Sequence, residues 1–149
     1  MAQPQAKQDY VLEIRRTFNT TRETVFRAWT DPQALSAWFA PSDAMTTPVV
    51  EIDLRVGGAY RIEMQEPDGK RHCVAGVYRE VKEPERLVFT WSGTGCTAEP
   101  LDTLVTVELF ARGTQTEMVL THEGFSNAQD RDAHDQGWTG CLAQLAKHL

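Results

Sequence analysis

The chain has 149 residues, 41% of them hydrophobic, and a net charge of −6 from 21 acidic and 15 basic side chains. That length suggests one domain with a sizeable core. An acidic balance with no basic run argues against nucleic acid and anionic membrane surfaces as partners.

No stretch approaches the ~20 apolar residues of a membrane span. The polar segment Met1 to Gln8 has no apolar run of signal-peptide length, so a cytoplasmic protein is expected. Cys73, Cys96 and Cys141 are odd in number and widely spaced. They give neither a disulfide framework nor a zinc pattern, and three free thiols in a reducing compartment are expected.

Residues 1–8 read as a loose tail and residues 9–149 as one domain. Leu12, Ile14, Arg16 and Phe18 alternate with Val11, Glu13, Arg15 and Thr17, which predicts a strand with one arginine on its apolar face. Thr20 or Thr21 caps a short helix with Val25, Phe26 and Trp29 on its inner side. Asp31-Pro32 starts a second short helix that carries Leu35, Trp38 and Phe39 and stops at Pro41. A loop follows over residues 40–48. Strands are then predicted around Val50–Leu54, Tyr60–Met64, 71–82, Leu87–Trp91, Val105–Leu109 and Met118–His122. Gly57-Gly58, Pro67-Asp68-Gly69, Pro84-Glu85 and Gly113 turn the chain between them, and residues 92–100 form a loop. Val77 and Tyr78 claim opposite faces, so the register of residues 71–82 stays open.

The chain closes with a helix over residues 126–148. Ser126 and Gln129 make a capping box, and Trp138, Cys141, Leu142, Leu145, Ala146 and Leu149 form one apolar stripe. Gly137 and Gly140 each cost about 1 kcal/mol in a helix interior. They imply that a strand or a ligand comes close to the helix backbone. Hairpin-length connections make the sheet antiparallel. The whole is an α+β arrangement: a curved sheet of six or seven strands around the long helix, with two short helices after the first strand.

This order resembles the helix-grip fold of the START and Bet v 1-like (SRPBCC) superfamily. FNTTRETVFRAWTDPQALSAWFAP (Phe18–Pro41), DLRVGGAYRIEM (Asp53–Met64), GVYREVKEPERLVFTW (Gly76–Trp91), THEGF (Thr121–Phe125) and GWTGCLAQLAKHL (Gly137–Leu149) narrow the likeness. They resemble the family named for the activator of a heat-shock-protein ATPase. The resemblance covers nearly the whole chain. It implies a cavity between sheet and helix, used in that family by ligand carriers, ring-closing enzymes and a chaperone-binding domain. The namesake's separate N-terminal domain is not expected here.

Alternation places Arg16, Tyr60, Ile62, Met64, Phe89, Trp91, Met118 and His122 on the inner face of the strands. Trp38, Phe39, His134, Trp138 and Leu142 are added from the helices. This mostly apolar, aromatic set suits a small hydrophobic ligand as well as a plain core. Arg16 pairs with a carboxylate, extends its head past the sheet edge, or faces a polar ligand group. His122 is either a hydrogen-bonded core residue or a base. No Gly-x-Ser-x-Gly, phosphate loop or zinc-ligand spacing occurs, so neither a cofactor nor a metal is expected. Three functions follow: binding of a small hydrophobic molecule, a cyclase- or hydrolase-like enzyme, or a stress-response module contacting a chaperone. A monomer and a homodimer are both compatible with the sequence.

Overall fold

The structure, a computed structural model, describes residues 10–92 and 103–149. The expected tail, the loop beyond Ser92 and Cys96 lie outside the described residues.

The chain runs β1 (Tyr10–Phe18), α1 (Arg22–Thr30), α2 (Pro32–Trp38), β2 (Thr46–Ile52), β3 (Ala59–Gln65), β4 (Arg71–Lys82), β5 (Arg86–Trp91), β6 (Thr103–Arg112), β7 (Gln115–Phe125) and α3 (Ala128–His148). The strands form a seven-stranded antiparallel sheet in the order β1-β7-β6-β5-β4-β3-β2. Consecutive strands pair with one another from β2 to β7. The exception is β1 and β2, which occupy opposite edges, so α1 and α2 carry the chain from one edge to the other. α3 then returns from the end of β7 and packs on β1, β7 and α2. This is the α+β helix-grip arrangement that the sequence predicts.

Local chemistry sets the element ends. Thr21 caps α1 by accepting from the Thr24 N–H at 3.3 Å. Asp31 caps α2 from the Gln33 N–H at 3.2 Å, with Pro32 at the first helical position. Asn127, not Ser126, caps α3 and accepts from the Asp130 N–H at 2.7 Å. Ser and Asn cap about equally well, so the sequence does not choose between adjacent positions. α2 ends at Trp38, earlier than Pro41 suggests. Residues 46–48, expected in a loop, belong to β2; an edge strand tolerates Pro48, and the pairing shifts register between Thr46 and Val49.

The apolar alternation becomes the core. Tyr60, Ile62, Phe89, Trp91, Val107, Met118 and Leu120 are buried, as are Trp138, Cys141, Leu142 and Leu145 of the α3 stripe. Ala146, expected in that stripe, is exposed. The open register of β4 resolves with Tyr78 inside and Val77 exposed.

Two expectations are corrected. Cys73 is disulfide-bonded, whereas Cys141 is free and buried. β4 and β5 stay paired as far as the Ala75–Ser92 bridge. Spacing along the sequence does not reveal the disulfide at Cys73. The glycines of α3 are not crossed by a strand. A Cβ on Gly140 would overlap the Pro41 carbonyl oxygen, in the segment after α2. A Cβ on Gly137 would meet nothing within 4 Å.

The two glycines therefore respond oppositely to alanine. Gly137→Ala should stabilise the protein by up to about 1 kcal/mol through helix propensity. Gly140→Ala should destabilise it by about 1–3 kcal/mol through overpacking against backbone. Denaturant unfolding measures both, and equal responses would contradict the placement. Reductant should also raise the thiol count of the unfolded chain by two, as read with a thiol reagent.

Candidate functional site

α3 meets the sheet through a buried polar relay. The Trp138 indole Nε1–H donates to His122 Nδ1 at 3.0 Å. An accepting Nδ1 puts the imidazole proton on Nε2, which donates to Thr103 Oγ1 at 2.6 Å. The Thr103 hydroxyl donates in turn to the Trp91 carbonyl oxygen at 3.1 Å. The chain of donors thus crosses from α3 through β7 and β6 to β5. His122 is fully buried, and burial with the nearby His134 charge pushes its pKa down to about 3. It is a neutral, satisfied core histidine, with both ring nitrogens occupied and neither free to take a proton from a substrate.

An aromatic cluster surrounds the relay. Trp91 packs on Trp138 with ring centroids 5.0 Å apart, and Trp29 packs edge-on to Trp38 at 5.0 Å. Trp38 ties α2 to α1 by donating its indole N–H to the Ala28 carbonyl at 2.9 Å. The Thr47 hydroxyl donates to the Phe39 carbonyl at 2.6 Å, which fixes the end of α2 to β2.

Two spaces remain between these rings. The larger is a cavity of about 170 Å³ lined by Phe39, Pro41, Met64, Trp91, Ala133, His134, Gly137, Trp138 and Cys141. The smaller is a void of about 20 Å³, walled by Tyr60, Ile62, Phe89, Trp29 and their neighbours. Phe39 and Trp91 line both, with ring centroids 6.2 Å apart, and stand between them. The larger cavity exists because α3 rests mainly on the β1–β7 side of the sheet. His134, Gly137, Trp138 and Cys141 fall at i, i+3, i+4 and i+7, so a single helix face forms its roof.

The candidate residues divide accordingly. Phe39, Met64, Trp91, His134 and Trp138 come together around the larger cavity. Tyr60, Ile62 and Phe89 join Phe39 and Trp91 around the smaller void. Trp38, Met118, His122 and Leu142 are buried in the core and line neither space. Arg16 is half-buried on edge strand β1 and also lines neither. It has no ion pair or hydrogen bond among the described residues. An edge strand lets such a side chain keep its stem on apolar surface and its head in water. Pro41, Ala133, Gly137 and Cys141 were not singled out as lining residues, although the unusual helix glycine was a signal for the third.

Polar chemistry at the larger cavity is sparse. His134 donates its Nδ1–H to the Asp130 carbonyl at 2.8 Å. Burial raises the Cys141 thiol to about 12, so it stays protonated and unreactive. Among the described residues, no cluster of His, Cys, Asp or Glu could hold a metal ion.

A curved antiparallel sheet gripping a long C-terminal helix over such a space defines the helix-grip class of the START/Bet v 1-like superfamily. Within it, residues 19–149 match the family described as activator of Hsp90 ATPase homolog 1-like protein, and the chain belongs to that family. No curated protein matches the chain. Among solved structures, a protein from Chromobacterium violaceum is 29% identical with a TM-score of 0.81, over 93% of this chain and 96% of the other. One from Rhizobium leguminosarum is 26% identical with a TM-score of 0.79, over 95% and 94%. An AHSA1-like protein from Aeromonas hydrophila, 24% identical over 93% and 91% with a TM-score of 0.78, shares the fold.

The buried histidine makes stability pH-dependent. Its folded pKa lies below the ordinary value, so its contribution is complete above about pH 6.5 and is lost as pH falls toward 3. Between pH 7 and 4.5 the loss should be about 2–3 kcal/mol. Protonated Nδ1 would face the Trp138 N–H as a second donor. Denaturant unfolding of the wild type and of His122→Asn should show a shallower pH slope for the variant. Parallel slopes would remove His122 as the titrating group.

Proposed function

We propose that the chain binds a small apolar molecule in the 170 Å³ cavity between the N-terminal half of α3, the end of α2, β3 and β5. Gly137 carries this reading. It is a glycine inside a helix, nothing within 4 Å requires it, and it faces an open apolar space. Alanine there would favour the helix by about 1 kcal/mol, so local stability does not account for its presence. A bound molecule lying against the helix backbone does.

Size restricts the ligand. A dry cavity of about 150 Å³ accommodates one benzene ring. The space here suits a one- or two-ring molecule and excludes a long acyl chain unless the aromatic walls move. About ten heavy atoms at about 0.6 kcal/mol each correspond to a Kd of tens of micromolar.

The enzyme reading finds less support. His122 has both nitrogens engaged, and Cys141 is held as a neutral thiol. Among the described residues, no helix is long and apolar enough to cross a membrane. The Cys73 disulfide removes the argument from free thiols for a reducing compartment.

Naphthalene and similar lipophiles should quench or shift tryptophan fluorescence saturably at tens of micromolar. Gly137→Leu, which places a side chain in the cavity while keeping a helix former, should weaken binding about tenfold or more without lowering stability. An absence of saturable binding across a panel of one- and two-ring lipophiles would refute the reading. Undiminished affinity in Gly137→Leu would place the site elsewhere.

A further inference from the structure

A single thickness of backbone divides two spaces. Phe39 and Pro41 line the ligand cavity. Ala40 and Ser42, which alternate with them, line a second recess of about 210 Å³ between α2, the start of β2 and this segment. Asp43 and Gln144 border the recess as well. Gly137, Gly140, Gln144 and Lys147 fall at i, i+3, i+7 and i+10, so one side of α3 runs along the segment. Gly137 lies over the cavity, and Gly140 receives the Pro41 carbonyl. One turn further on, the Gln144 amide donates to Asp43 Oδ1 at 2.7 Å. Lys147 Nζ donates to Asp43 Oδ1 and Oδ2 at 3.2 and 3.3 Å. Ala40 bonds the adjacent Trp38 carbonyl, and Ala44 and Met45 bond back to Ser42. Among the described residues, the Asp43 bonds are the only hydrogen bonds that tie residues 40–45 to α3.

We infer that Asp43 sets the size limit of the ligand cavity: its clasp on Gln144 and Lys147 holds residues 40–45 between the two spaces, and releasing the clasp admits lipophiles of more than two rings. This rests on the binding reading above and deepens it. Asp43 does not line the cavity; it positions the wall that Pro41 forms. The clasp suits a reversible latch. Asp43 and Lys147 are exposed, and an exposed ion pair is weak and screened by salt. The Gln144 amide and then the Lys147 ammonium hold the Asp43 carboxyl below the ordinary carboxylate value, so it is charged at neutral pH. The recess leaves room for the segment to move. Phe39 is held at its carbonyl by the Thr47 hydroxyl, so opening begins at Pro41.

The test compares naphthalene, which the cavity accommodates, with the three-ring lipophile N-phenyl-1-naphthylamine. Naphthalene is followed by tryptophan quenching and the larger probe by its own fluorescence. Both are titrated into the wild type, Asp43→Ala, and a double variant with Gln144→Ala and Lys147→Ala. A third ring forced into the closed cavity meets an overpacking cost, so the larger probe should bind the wild type about tenfold or more weakly than either variant. Naphthalene should bind all three within about twofold, whereas a general loosening of the fold would change both probes. The double variant leaves residues 40–45 untouched, so the inference stays testable if Asp43→Ala unfolds. If naphthalene binds but the larger probe binds the wild type as tightly as the variants, the size limit is overturned and the binding reading stands. If naphthalene binds none of the three, the binding reading fails, and the inference falls with it.

Discussion

The hydrogen bond from Trp138 to His122 holds the helix to the sheet. Its 3.0 Å length places an indole donor on an imidazole acceptor inside the core, and the other imidazole nitrogen passes the constraint to Thr103 and the Trp91 backbone. Each member can donate only in one direction, so the tautomer, the hydroxyl rotor and the helix rotation are set together. With α3 fixed at residue 138, the neighbouring positions 134, 137 and 141 are fixed over the same gap. The cavity roof is thus a consequence of one polar anchor in an otherwise apolar interface.

The topology supplies the gap itself. β1 and β2 lie at opposite edges of a seven-stranded sheet, and α1 and α2 must cross that width. α3 takes the β1–β7 side, with α2 beside it. Two short helices and one long one do not tile a curved surface completely. Large aromatic rings fill most of the remainder: Trp29, Trp38, Phe39, Trp91 and Trp138 contact one another with centroids between 5.0 and 6.2 Å. Flat rings meeting edge-on leave residual spaces that branched aliphatic side chains would fill more evenly.

The sequence made most of this architecture legible, because its signals are periodic. Alternation identified the inner face of β3, β5 and β7, and the spacing of Trp138, Cys141, Leu142 and Leu145 identified the buried side of α3. What stayed hidden depended on meetings between distant residues. Cys73 is disulfide-bonded, and Gly140 is required by a carbonyl in the segment after α2. The single expected cavity is two spaces because Phe39 and Trp91 stand between them. Inward alternation correctly flagged His122. It could not show that Trp138 and Thr103 occupy both its nitrogens, which turns a candidate base into a structural anchor.

Natural chains violate local rules mainly where something other than folding is at stake. A plain core would have an alanine at 137 and filled space beneath it. This chain departs from each expectation, and the departures coincide. The unrequired glycine faces the larger cavity. A random packing defect would give no reason for a backbone opening and an apolar cavity to meet on one helix face. Gly140, only three residues along the same helix, is the control within the molecule. It is explained by the Pro41 carbonyl and lines neither space, so a glycine in α3 is not by itself evidence of a ligand. The contrast between the two positions makes a structural explanation sufficient at one and insufficient at the other.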